Sequence, residues 1–398
     1  MKDLKHLIYF EELLSEANNE LVKQACAEGK KALGYTCYFV PEVLLNLGGC
    51  FSVRLRAPGT SNTDIGTYYM TNKTCPFTRS ILERSMEGGY NFLSAMLSSE
   101  TCQMMHRAHE YFDIMGLVKE QNPDFFLSMM DVPFVTTKAA YEHYENQLRR
   151  HILEPLEKVC GVDISDKAIR AAIDDHNDIC GIISELGELR KLPNPPITSY
   201  EFHVLQLVSE CCPQYLIKEK LRETLREVRK RKVDPKPNYR ARLVVTGSEV
   251  DDPAFTKLLE DCGVYVVADR YCYGSLPGRE QIEIREGESA LTAVARHYLS
   301  TSECPRFMNK EKQVQRRSYL KQLVNDYDAD GILYLQMKFC EYWSYERVMG
   351  VHDMNEVEGI PCIGVEKEYT MASAGQLRTR FQAFVESIEI KKLQGGKM

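Results

Sequence analysis

The fold class predicted for this chain is α/β: two lobes, each built on a parallel sheet of Rossmann or flavodoxin-like type, bridged by a helical segment. Three observations predict it. Up to Val132, short apolar runs alternate with stretches of helical period. Strand signals then vanish from Thr137 to Lys232, and the alternation resumes beyond Asp234-Pro235-Lys236-Pro237. The chain divides accordingly into an N-terminal helix pair plus first lobe over 1–136, a helical bridge over 137–236 and a second lobe over 237–398.

The elements follow in order. Leu4, Leu7, Ile8, Phe10, Leu13 and Leu14 give residues 3–29 an apolar helical face. Ala32 to Gly34 lead into Tyr35-Thr-Cys37-Tyr-Phe-Val40, and Pro41-Glu42 suits a helix start, so Cys37 falls in a strand-to-helix loop. Gly48-Gly49 ends that helix, and Phe51 to Leu55 reads as a strand with Arg54 and Arg56 alternating along it. A Pro-, Gly-, Ser- and Thr-rich loop runs on through Asn72 to Thr74-Cys75-Pro76, where a new helix starts; its dipole and the nearby Arg79 are expected to favour a Cys75 thiolate. Phe92 to Leu97 is a strand, Cys102 opens the helix Gln103 to Met115, and Phe125 to Val132 is a strand closed by Pro133.

The bridge reads as helices over Tyr141 to Cys160, from an Asp163-Ile-Ser165 cap to Leu189, and twice more after a Pro193 to Pro196 break. In the second lobe come the strand Arg242 to Thr246 with Gly247 marking its turn, the helix Pro253 to Cys262 and the strand Val264 to Asp269. The loop carrying Cys272, the helix Leu291 to Leu299 and the loop carrying Cys304 follow. A helix over Lys310 to Tyr327 feeds the strand that runs from Gly331 to Cys340; Trp343 to Val357 is helical, Ile360 to Val365 a strand and Gln376 to Ile388 a closing helix. The two lobes share a loose layout without a repeated sequence.

Composition narrows the function. The net charge is -7 and the one basic run, Lys218 to Lys236, is interleaved with acids on a helix, which gives nucleic acid nothing to bind. No signal-type apolar segment follows Met1, and no stretch approaches the roughly 20 apolar residues of a membrane span, so the expected location is cytoplasmic. Fourteen cysteines in such a chain argue for reduced thiols. There is no GxxxxGK[ST] loop for ATP and no GxGxxG fingerprint for a nicotinamide cofactor.

The cysteines carry the chemical signal. Cys37, Cys75, Cys102, Cys272, Cys304 and Cys340 all fall at strand ends or helix starts, and in open parallel sheets those ends face one crevice. Thiolates gathered there suit an iron–sulfur cluster; zinc is a weaker fit because no CxxC pair exists. The other eight, Cys26, Cys50, Cys160, Cys180, Cys211, Cys212, Cys262 and Cys362, read as core fillers. His106 and His109 share a helix face near Cys102, and Glu100 precedes it by two residues: each is a candidate for proton transfer, set against an ordinary surface role. Trp343 reads as core or as a shield beside Cys340. The loops after Leu55 and over Tyr273 to Arg279 would either shape a substrate pocket or wall one off. Two other function classes stay open: a colourless, air-stable zinc or cysteine-stabilised binding module, and a thiol-nucleophile enzyme acting through Cys75.

Several segments together give a resemblance. Gly34-Tyr-Thr-Cys37-Tyr-Phe-Val-Pro41-Glu42, Thr74-Cys75-Pro76, Glu100-Thr-Cys102, Asp330-Gly331 through Lys338-Phe339-Cys340, Gly359-Ile-Pro361 and Gly375-Gln-Leu-Arg-Thr-Arg380 resemble the 2-hydroxyacyl-CoA dehydratase and benzoyl-CoA reductase family over nearly the whole chain. The resemblance implies a 4Fe-4S cluster in the cleft between the lobes, on Cys75, Cys102 and Cys340. It also implies a related partner subunit and a separate ATP-hydrolysing iron–sulfur activator, whose electron turns a 2-hydroxyacyl-CoA into a ketyl radical that expels its hydroxyl. The further thiols Cys37, Cys272 and Cys304 resemble instead the double-cubane branch, in which a homodimer carries a double-cubane 8Fe-9S cluster in each chain and reduces small molecules. The cysteine count leans toward that branch.

Overall fold

The computed structural model of the protein describes residues 4–60, 62–233, 236–274 and 280–394. Two short helices, α1 (Leu7–Leu13) and α2 (Glu20–Ala27), open the chain, the second capped by Asn19, whose side chain accepts from the amides of Leu21 and Val22. The first lobe then runs β1 (Lys31–Tyr35), α3 (Glu42–Leu45), β2 (Cys50–Arg54), α4 (Asp64–Met70), α5 (Pro76–Met86), β3 (Ala95–Ser99), α6 (Gln103–Ile114) and β4 (Phe126–Met130). Its four parallel strands lie in the order β2-β1-β3-β4.

The bridge comprises α7 (Lys138–Leu148), a π-helical turn at Arg149–Leu153, α8 (Glu154–Cys160), α9 (Asp166–Glu188), α10 (Ser199–Cys211) and α11 (Gln214–Lys230). Ser165 caps α9, and Thr198 with Glu201 forms a capping box at α10. Nearly all of α10 is buried, so it is the post against which both lobes pack. The basic run of α11 is a paired face: Lys218 meets Asp175 and Asp178, and Arg229 meets Glu185.

The second lobe runs β5 (Ala241–Gly247), α12 (Pro253–Asp261), β6 (Val264–Tyr271), α13 (Ala290–Thr301), α14 (Lys310–Asp326), β7 (Gly331–Met337), α15 (Glu341–His352), β8 (Cys362–Lys367) and α16 (Ala374–Leu393). Its strands are again all parallel and in the order β6-β5-β7-β8. The loose likeness of the lobes in sequence is thus an identical strand order. In each sheet the chain places its second strand on one side of the first and its third on the other, which creates a switch point between β1 and β3 and between β5 and β7.

Three sequence expectations change. The segment 64–70 is helical, not loop: Gly66 lets α4 lie on α5, where a Cβ would fall 2.4 Å from the Arg79 carbonyl oxygen. Gly247 is no turn residue but the last residue of β5, and a Cβ there would fall 2.2 Å from the Leu335 oxygen of β7. The strand β7 stops at Met337, and Cys340 is the residue that caps α15. Of the linker, Asp234 and Pro235 lie outside the described residues, as does the 275–279 part of the Tyr273 to Arg279 loop. Among the described residues no helix is long and apolar enough to cross a membrane.

Candidate metal centre

All six singled-out cysteines line one cavity between the lobes, whose empty space amounts to about 790 Å³ including its mouth. Cys37 and Cys102 follow β1 and β3, the pair that flanks the first switch point, and Cys272 and Cys340 follow β6 and β7. Cys304 comes from the turn between α13 and α14, and Cys75 from the start of α5. Cys75, Cys102 and Cys340 are each the N-cap residue of a helix, so α5, α6 and α15 aim their positive ends at the cavity. No capping hydrogen bond closes onto any of the three sulfurs, yet the amides of Phe77 and Thr78 at Cys75, of Met104 and Met105 at Cys102, and of Trp343 at Cys340 favour their ionised forms.

The thiols fall into two sets. Cys340 feels Cys75 and Cys102, and Cys75 feels Cys102; Cys272 feels Cys304 and Cys37, and Cys304 feels Cys37. The sets meet where Cys37 acts on Cys102. Burial dominates: it pushes Cys102 up to about 11 and Cys304 up to about 12, and it raises Cys75, Cys272 and Cys340 as well. Arg79 does not offset this at Cys75, because its guanidinium binds the hydroxyls of Thr67 at 2.8 Å and Thr63 at 3.2 Å. The expected Cys75 thiolate is therefore overturned, and with it the feature that pointed to a thiol nucleophile.

Thiols that resist ionising alone, in a cavity that helix N-termini make receptive to anions, fit a group that brings its own positive charge, since a coordinated thiol is deprotonated outright. Among the described residues no three His, Cys, Asp or Glu side chains close around the position of a single metal ion. A set of six thiols spread around one cavity is a donor set of the kind that holds a cluster, whose sulfur ligands are distributed over several irons.

The surroundings are specific. Thr101 Oγ1 donates to Cys37 Sγ at 3.1 Å, and the Trp343 side chain hydrogen-bonds to the Cys272 thiol. Trp343 is itself buried. Arg54 lines the cavity with its charge taken by Glu210 at 2.8 Å, its guanidinium 3.8 Å from the Tyr273 ring centroid and bonded to the Cys272 carbonyl. Glu249, just past the end of β5, acts on Cys75, Cys102 and Cys340 of one set and on Cys272 of the other; burial holds its carboxyl above the ordinary range. Sequence reasoning missed Glu249, although the strand-end rule that selected the cysteines applies equally to it.

The proton-transfer candidates do not reach the cavity. Glu100 is exposed and outside its lining, and His106 faces Glu110 at 3.5 Å. His109 is fully buried between Ser98 and Thr36, held neutral by burial at about 3. The loop after Leu55 lines a separate cavity together with Tyr369, whose ring packs on Phe77 at 5.5 Å, and among the described residues it contributes nothing to the lining of the cysteine cavity.

Known proteins share this sequence along its length. A family model described as 2-hydroxyglutaryl-CoA dehydratase, D-component, matches residues 37–388. The chain is 24% identical over 387 residues to the (R)-phenyllactyl-CoA dehydratase beta subunit of Clostridium sporogenes, covering 95% of this chain and 97% of that one. It is 24% identical to the beta subunit of (R)-2-hydroxyglutaryl-CoA dehydratase of Acidaminococcus fermentans, over 91% and 93% of the two chains. It is 21% identical to a benzoyl-CoA reductase subunit of Thauera aromatica, over 91% and 92%. With two parallel-sheet lobes and a family match spanning both, the chain belongs to the 2-hydroxyglutaryl-CoA dehydratase D-component family.

Proposed function

We propose that the chain is the iron–sulfur subunit of an enzyme of dehydratase or reductase type, with one cubane on Cys75, Cys102 and Cys340 and a second on Cys37, Cys272 and Cys304. The observation that carries this reading is the placement of six thiols on one cavity in two sets of three. When bound, such a cluster supplies electrons at low potential, tuned by burial and by hydrogen bonds to its sulfurs.

The chain's own residues then divide the remaining work. Three helix N-termini turn positive dipole toward the site, Arg54 lines it while paired with Glu210, Thr101 and Trp343 hold two sulfurs in place, and Glu249 stands beside both sets. Electrons would come from a separate ATP-hydrolysing iron–sulfur activator, in keeping with the missing phosphate loop. The substrate class that fits the double arrangement is a small reducible molecule, the assembly a homodimer and the compartment the cytoplasm, where fourteen free cysteines stay reduced.

A second reading is favoured by the relatives' names, which are those of dehydratase subunits. It takes a single 4Fe-4S cluster on Cys75, Cys102 and Cys340, a heterodimer with a related subunit, and loss of water from a 2-hydroxyacyl-CoA. Iron and acid-labile sulfide per chain, measured on protein purified without oxygen, decide between them. About eight irons is the expected result, about four gives the second reading, and none after reconstitution overturns both.

A further inference from the structure

A pair of thiols stands apart from the cavity. Cys50 is the first residue of β2, and Cys160 is the last of α8, followed by the left-handed Gly161 that ends the helix. The two side chains hydrogen-bond to each other. Their segments are packed together independently of that bond: a Cβ at Gly48 would lie 3.5 Å from Val162 Cγ1, and Leu47, Cys50 and Val162 are buried in one core against which Cys160 rests.

The pair is asymmetric. The Cys50 thiol donating to it and the Lys31 ammonium nearby hold Cys160 below the ordinary thiol value, and Cys160 is half-exposed. Cys50 is buried and held up, chiefly by the same hydrogen bond. Lys31 is the strand partner of Cys50 across β1 and β2, so the sheet register brings the cation to the pair. One accessible, ionisable thiol backed by a buried protonated one is the arrangement of an attacking and a resolving cysteine.

We propose that Cys50 and Cys160 form a reversible disulfide, a redox-modification site separate from the cysteine cavity. The oxidant is a hydroperoxide. Cys160 sulfur attacks the peroxide oxygen, breaking the O–O bond and leaving a sulfenic acid, and the other oxygen departs as water or an alcohol. Cys50 sulfur then displaces the Cys160 hydroxyl as water, forming the S–S bond; the two thiol hydrogens and two electrons end on the peroxide oxygens. The bond ties the edge of the first sheet to the end of α8.

Treating the purified full-length chain with cumene hydroperoxide, blocking free thiols with N-ethylmaleimide and mapping peptides by mass spectrometry without reductant tests this directly. A linked pair of peptides carrying Cys50 and Cys160, separated by dithiothreitol and absent in Cys160→Ser, is expected. In unoxidised protein at pH 7, iodoacetamide should label Cys160 ahead of Cys26, which is also half-buried but held up by burial. Cys160 over-oxidised or in a mixed disulfide while Cys50 is recovered alkylated would overturn the proposal, as would faster labelling of Cys26. The peptide readout does not depend on the cluster.

Discussion

The hydroxyl of Thr101 donates to the sulfur of Cys37 at 3.1 Å, and Thr101 immediately precedes Cys102, so one dipeptide touches both sets of thiols. A donor on a cluster ligand stabilises the more negative, reduced state and raises its potential. Thr101→Val keeps the shape and removes the donor. The expected outcome is a midpoint potential shifted to more negative values with iron content retained, read by a redox titration followed by electron paramagnetic resonance.

Arg54 and Glu210 form a buried pair at 2.8 Å that joins β2 to α10. Burial opposes the Arg54 charge and is the largest single influence on it, but the Glu210 carboxylate together with Tyr273, Tyr35 and Cys272 outweighs it, holding the guanidinium well above its ordinary value. Removing one partner strands the other in the interior, which costs about 3–5 kcal/mol. Glu210→Gln should therefore lower the midpoint of urea unfolding by a corresponding amount, and a shift near zero would remove the pair from the account of how the lobes are held.

This pair also marks the limit of what the sequence reveals. Arg54 is legible as a charge on a strand, but its partner lies 156 residues away and only the packing of α10 brings it there. Period and punctuation gave the eight strands to within a few residues, because buried parallel strands are continuous apolar runs bounded by turn residues. They failed for α4, whose Asp-Ile-Gly-Thr-Tyr-Tyr-Met is a poor helix former kept helical by its contact with α5. The six cysteines were legible because strand-end position is a matter of order along the chain. Their division into two sets came only through the family resemblance, not from period or punctuation, and His109, close to Cys102 in sequence, turned inward.

Buried neutral histidines make stability depend on pH. Burial lowers His109 to about 3 and His203 to about 4; His203 Nε2 donates to the Val250 carbonyl at 2.9 Å while Nδ1 accepts from the Thr256 hydroxyl at 2.7 Å. The unfolded chain takes up a proton on each near pH 6.5 and the folded chain does not. The contribution of these two histidines is thus full above about pH 6.5 and falls with pH toward the folded values, by about 2 kcal/mol per histidine at pH 5. In His203→Gln the decline between pH 7 and 5 should be shallower by one proton; an unchanged slope would show that His203 is not held neutral.

Gly247 sits where β5 and β7 approach at the second switch point, with Leu335 O 2.2 Å from where a Cβ would be. Gly247→Ala must part the two strands just below Glu249 and Cys340. A cost of about 1–3 kcal/mol or more is expected from such overpacking. Because the displacement acts two residues before Glu249, which lines the cavity, iron content should fall as well, whereas Gly375→Ala, with open space around it, should leave both unchanged.

The two sets of thiols differ in what their loss should do. Cys340 feels both Cys75 and Cys102, so Cys340→Ser should lower iron content on either reading of the site. Cys272 feels Cys304 and Cys37, and its thiol takes a hydrogen bond from Trp343 that no core-filling role requires. Cys272→Ser should therefore reduce iron from about eight to about four per chain while leaving the first set intact. The same variant in a one-cubane protein would keep all of its iron, and that result would return Cys37, Cys272 and Cys304 to ordinary buried thiols. A serine hydroxyl in place of the Cys272 thiol keeps nearly the same size, so a loss of half the iron with an unchanged unfolding midpoint reports ligation and not folding.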